Sequence, residues 1–208
     1  MIRTNLSRFP DILEYFKKYS PRNVNILNTI PIIKVDKKLW DKLFLNGYGY
    51  LVRKEDMLAN YTFLEAYSQN QNLYNSLPSE EHKRDVNIYK ISKQLDFPDI
   101  FVLVIDDANA ARFFILHEFS HLCGIDESFV YNQKFNDEYL DKKTEQSAYY
   151  NEIRYAKQNN MSFEQYFKLA HPNEFAILEG GKQKNPETYE LALLDKKDYN
   201  SMWNNIND

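Results

Sequence analysis

The chain has 208 residues, of which 43% are apolar and 15% aromatic, enough buried surface to offset the conformational entropy of folding, which excludes global disorder. A formal net charge of −4 carries no basic footprint of the kind tight nucleic-acid binders use, so no direct nucleic-acid contact is expected. The longest apolar runs, Ile100 to Ile105 and Phe113 to Leu116, fall far below the roughly 20 residues that cross a bilayer, and the five glycines build neither common phosphate-binding loop.

In chain order, apolar side chains at Ile12, Leu13, Tyr15, Phe16 and Tyr19 recur with helical spacing, predicting a helix over Pro10 to Tyr19 that Pro21 closes. Ile30 to Val35 reads as a strand, Lys37 to Leu45 as a turn or two of helix, and Gly47 to Arg53 as a strand leaving a tight turn. A short helix is expected near Asp56 to Tyr67, and the Asn- and Gln-rich stretch Ser68 to Pro78 reads as a loop. Ser79 opens a helix that should run to about Leu95. Asp99 to Ile105 reads as a strand, a continuous apolar run flanked by Asp residues and suited to burial on both faces. A buried helix follows over Ala110 to Cys123, with Asn109 or Asp107 as its N-cap and Gly124 just past its end. Further helices are expected over Asp141 to Gln158, Ser162 to Leu178 with a break at Pro172, and Pro186 to Trp203.

The pattern is α+β and mostly helical: one domain over 1–208, with 1–70 as an N-terminal α/β portion and 160–208 as a helical C-terminal extension. The small sheet is expected to pack against the Ala110 to Cys123 helix and the helix after it. The single cysteine, Cys123, cannot form an internal disulfide, and the N-terminus shows no apolar signal segment. Both point to a reducing, cytoplasmic setting.

The chemistry is carried by His117-Glu-Phe-Ser-His121. Helical residues four apart share a face, so both imidazoles can turn to one ion, while Glu118, one position round, can reach a water on it. The bland alternative is a pair of core histidines satisfied by hydrogen bonds. A zinc hydrolase site needs a third protein ligand and an open fourth position, and three carboxylates compete for that place. Glu145, 24 residues beyond His121, lies on a helix that can pack back across the first, and is favoured. Glu152, two turns further on, sits about 10 Å along the same face, so one of the two can ligate while the other supports a histidine. Glu127 completes a spacing that imitates the metzincin H-E-x-x-H-x-x-G-x-x-H with Glu in the last place, and Met161 could be cast as the Met-turn. Donors for developing negative charge could come from Tyr149, Tyr150, Arg154 or His171. His171 and His82 read more simply as helix-end or solvated residues, and Cys123 as a small core residue.

The segment Ala111-Arg-Phe-Phe-Ile-Leu-His-Glu-Phe-Ser-His-Leu122, preceded by a buried strand, resembles the ImmA/IrrE-type metallopeptidases, and Glu145-Gln-Ser-Ala148 matches that family's downstream helix. The likeness covers about a quarter of the chain. Tyr149 stands where family members usually carry Asn, and a following F-A-A-x-L-L-M-P type ending is missing. The resemblance implies a cytosolic zinc endopeptidase of gluzincin layout, often encoded on phages or mobile elements, that cleaves or inactivates a helix-turn-helix repressor. On that reading Zn2+ is held by His117, His121 and Glu145, Glu118 is the general base, and the partner is a protein substrate. The competing readings are an inactive relative of the same fold that works by docking to a protein, as an antirepressor or inhibitor does, and an accessory domain with a purely structural zinc.

Overall fold

The computed structural model describes residues 1–123 and 143–206. Its elements, in chain order, are β1 (Ile2–Thr4), a 3-10 turn (Leu6–Arg8), α1 (Pro10–Tyr19), α2 (Val24–Thr29), β2 (Ile32–Val35), α3 (Lys37–Lys42), β3 (Gly49–Arg53), α4 (Lys54–Ala59), α5 (Tyr61–Gln69), α6 (Gln71–Asn75), α7 (Glu80–Gln94), β4 (Ile100–Ile105), α8 (Ala108–Cys123), α9 (Lys143–Gln158), α10 (Phe163–Ala170), α11 (Pro172–Gly180) and α12 (Pro186–Asn205). The architecture is α+β and mostly helical, with one small sheet. The chain divides into two compact units, Met1–Pro10 with Asn25–Asp107 and Asp11–Val24 with Ala108–Asp208. Residues 1–70 fall in the first unit except for 11–24, and 160–208 lies in the second.

The first unit is built on β4. Its run Ile-Phe-Val-Leu-Val-Ile is buried on both faces because the strand is central: the sheet order is β1-β2-β4-β3. β2 pairs with it in parallel, Ile32 opposite Val102 and Val35 opposite Ile105. β3 pairs antiparallel, Gly49 opposite Val104 and Arg53 opposite Ile100. β1 closes the far edge against β2. Alternation puts Phe101, Leu103 and Ile105 on one face, where they join Ile33, Val35, Trp40, Val52, Ile88 and Ile91 in a continuous core. Gly47, at φ 66°, makes the tight turn that feeds β3. The helix expected over Asp56 to Tyr67 is two, α4 and α5, separated at Asn60. The expected loop at Ser68 to Pro78 contains α6, because the Asn70 side chain caps it by accepting from the amides of Asn72 and Leu73. β1 and α2 are short elements that no periodicity announces.

The second unit is a helical assembly in which α1, α8, α9, α10, α11 and α12 lie together. α8 begins at Ala108, so Asn109 sits inside its first turn; Gly124, expected just past its end, lies outside the described residues. Ile115, Leu116 and Phe119 of α8 are all fully buried, and Phe119 meets Phe16 of α1. α9 presents Ala148, Ile153 and Ala156, each almost completely buried, and its small residues allow close approach of a neighbouring helix. Long-range hydrogen bonds tie α1 to α9, among them Tyr15 donating to Asn151 Oδ1 at 2.6 Å and Tyr155 donating to Asp11 Oδ2 at 2.5 Å. The break expected at Pro172 is real, with His171 ending α10 and preceding Pro172 at the first position of α11. No helix among the described residues is long and apolar enough to cross a membrane.

Candidate metal centre

α8 places His117 and His121 one turn apart on one face, and their rings stand 4.8 Å apart, centroid to centroid, at 76°. The two Nε2 atoms are 3.1 Å apart. α9 brings Glu145 to the same point: its Oε2 lies 3.2 Å from His117 Nε2 and 3.5 Å from His121 Nε2. Three ligand atoms from two helices thus converge, and the group could hold a metal ion. The spacing fits the residue types. Bonds of 2.0–2.1 Å to a tetrahedral ion put neighbouring ligand atoms about 3.3–3.4 Å apart, and the three observed separations bracket that value.

The hydrogen-bond geometry leaves a place here that a proton or a metal ion can fill. His117 Nδ1 lies 2.6 Å from Glu152 Oε1; facing a carboxylate, it is the protonated nitrogen and donates. A neutral His117 then turns the lone pair of Nε2 towards the Glu145 oxygen and the His121 nitrogen, an arrangement that repels unless a proton or a metal ion sits among them. The electrostatics agree. Burial pushes the His117 imidazole down, yet hydrogen bonding to Glu145 and Glu152 outweighs it and carries the group up to about 10. Burial holds the Glu152 carboxyl above the ordinary range, with the charge of His117 opposing it.

The imidazole of His117 therefore spans the two glutamates, Glu145 on its ligand side and Glu152 on the far side. Of the three carboxylates open in the sequence, the structure brings Glu145 to both histidines and sets Glu152 behind His117, while Glu127 lies outside the described residues. Glu118 follows His117 on α8, half-buried, and its charge is felt at both His117 and Glu152. Met161 lies in the turn between α9 and α10.

The four residues weighed as donors separate into two groups. Tyr149 packs its ring against His117 at 4.6 Å and against Tyr199 at 5.1 Å. His171 stands at a helix end, as expected, half-buried and stacked on Tyr199 at 3.9 Å, 6.0 Å from the Tyr149 ring. Arg154 lies half a turn round α9 from Glu145; its guanidinium covers Tyr19 at 3.6 Å and donates to Tyr15 Oη. Tyr150 belongs to that same cluster. Neither is brought to the three converging ligand atoms. His82 is exposed at the start of α7, with Nδ1 against Ser79 Oγ at 2.6 Å. Burial pushes the Cys123 thiol up, which disfavours the thiolate. Sequence reasoning missed Tyr166 and Tyr199, since a tyrosine at helical spacing carries no signal that separates it from core. No family model, curated protein or solved structure matches the chain.

Proposed function

We propose that the chain is a zinc-dependent endopeptidase of the ImmA/IrrE type, acting in the cytoplasm on a regulatory protein such as a phage or mobile-element repressor. The observation that carries the reading is the convergence of His117 Nε2, His121 Nε2 and Glu145 Oε2 within 4.8 Å of one another, with a glutamate beside the first histidine and a second behind its ring. Two imidazoles and one carboxylate are the ligand set of catalytic zinc, which keeps its fourth position for water or substrate. A bound zinc supplies Lewis acidity, bringing the pKa of water towards about 7 and polarising a carbonyl.

The chain's own residues supply the rest. Glu152 accepts a hydrogen bond from the Nδ1–H of His117 and so fixes the tautomer whose Nε2 lone pair faces the centre. Glu118 accepts the proton of the attacking water and returns it to the leaving amine, which keeps the proton balance of hydrolysis closed. The Tyr149 ring lines the His117 side. The protein substrate belongs to the resemblance, and the acidic charge balance agrees with a chain that reaches DNA-bound targets only through a protein partner.

The test joins metal content to turnover. Elemental analysis of the purified chain should give about one zinc per chain, and a peptide library derived from helix-turn-helix regulators should be hydrolysed. Glu118→Gln should keep the zinc and lose hydrolysis by about 10²–10⁴-fold. Full activity in that variant would remove Glu118 as the base. A wild-type chain that holds zinc, binds such a regulator and leaves it uncut would replace the peptidase with a docking protein.

A further inference from the structure

Glu152 is 3% exposed and carries two oxygens that must both be satisfied. One accepts from His117. The other, Oε2, lies 3.4 Å from the hydroxyl of Tyr166, which donates to it. That hydroxyl is also 3.4 Å from His171 Nε2, and since its single proton is directed to Glu152, His171 is the donor to its oxygen. The order of donation is thus His171 to Tyr166, Tyr166 to Glu152, and His117 to Glu152 from the other side. Both hydrogen bonds to Tyr166 are long, so they do not fix its position by themselves. Packing does. Tyr166 is fully buried, edge-on to Phe113 at 5.5 Å and stacked on Trp203 at 5.6 Å. His171 packs against both Tyr199, at 3.9 Å, and Phe167, at 5.4 Å. Neither ring can turn without displacing aromatic neighbours in a close-packed interior.

We infer that Tyr166 and His171 are positioning residues of the metal centre, acting through Glu152 to hold His117 in the tautomer and orientation that present Nε2 to the ion. The inference rests on reading His117, His121 and Glu145 as a zinc site. It assigns a role to the joint between α10 and α11: Pro172 starts α11 directly after His171, so the residue that anchors the hydrogen-bond chain is fixed where two helices meet. Neither residue need touch the ion or a substrate.

The experiment measures zinc affinity of the full chain by chelator competition, alongside the ¹H and ¹⁵N shifts of the His117 Nδ1–H group in the zinc-bound chain. Tyr166→Phe keeps the packed ring and removes the hydroxyl; it should weaken zinc binding about 10-fold, the lower end of what outer partners of a ligand contribute, and shift the Nδ1–H signals of His117, whose acceptor Glu152 it loosens. His171→Phe should act in the same direction, and His171→Gln, which restores an N–H donor, should recover most of the loss. A merely structural contribution would not be rescued in this way or read out at His117. Parent affinity and unchanged His117 shifts in both Tyr166→Phe and His171→Phe would overturn the inference while leaving the zinc site intact. A wild-type chain that binds no zinc, or a His121→Ala variant that binds it as tightly as wild type, would overturn the site and the inference together.

Discussion

His117 offers its two ring nitrogens to two carboxylates of a single helix, and the seven-residue separation of Glu145 and Glu152 is what makes this geometry available. Two helical turns span about 10 Å, close to the reach of an imidazole plus a glutamate on either side. Glu152→Gln keeps the shape but replaces an anionic acceptor with a neutral amide, so zinc affinity should fall by about 10–100-fold, measured by chelator competition, with the fold unchanged by circular dichroism. A second residue-scale expectation concerns pH. Burial, and then the nearby His117, push the His171 imidazole down from 6.5 to about 3. The unfolded chain binds this proton more readily than the folded one, so the contribution is whole above pH about 6.5 and is lost as pH falls towards 3. His117 is displaced the other way, to about 10; its contribution changes only above about 6.5 and is constant across the acid window. Urea midpoints of the metal-free chain should therefore fall less between pH ~6.5 and ~4 in His171→Gln than in the parent; equal slopes would mean that His171 titrates normally. At this scale the H-E-x-x-H histidines were legible because four-residue spacing alone puts two side chains on one face. Spacing favours Glu145, but what sets it at the ligand position and Glu152 behind His117 is how α9 lies against α8; Tyr166 carried no signal, and His171 showed only as a candidate donor, because their packing partners come largely from other helices.

Among elements, those with strong local signals were the readable ones. β4 announces itself by an unbroken apolar run, α7 by Ser79, whose side chain accepts from the amide of His82, and the α10–α11 joint by Pro172. α6 was read as loop because its Asn-rich sequence suits both a coil and a capped helical turn, and β1 was invisible because three residues with an exposed Ile2 become a strand only when β2 is there to pair with. The start of α10 carries a complete capping box, with Ser162 accepting from the amide of Gln165 and the Gln165 side chain accepting from the amide of Ser162. Ser162→Ala should cost about 1 kcal/mol of stability by urea unfolding. Because α10 also carries Tyr166, the same variant should weaken zinc binding if fraying reaches one turn into the helix. A loss of stability with unchanged zinc affinity would show that the aromatic packing around Tyr166 holds that turn without its cap.

At the scale of the molecule, the converging ligand atoms lie within the second unit and join two of its helices, α8 and α9. Among the described residues no other group of His, Cys, Asp or Glu converges in this way. An ion bound only by the folded state stabilises it by mass action, about 2.7 kcal/mol when free zinc is 100 times the dissociation constant. Hydrogen exchange locates where that energy acts. Saturating zinc should slow exchange at the amides of α8 and α9, and His121→Ala, which deletes one ligand, should abolish the effect. β4, central in the sheet of the first unit, provides the reference. If its protection is unchanged while that of α8 and α9 rises, the second unit opens on its own and the metal governs that opening. If β4 gains as much as α8, exchange in both units passes through one cooperative unfolding, and binding at the His117 centre stabilises the entire chain.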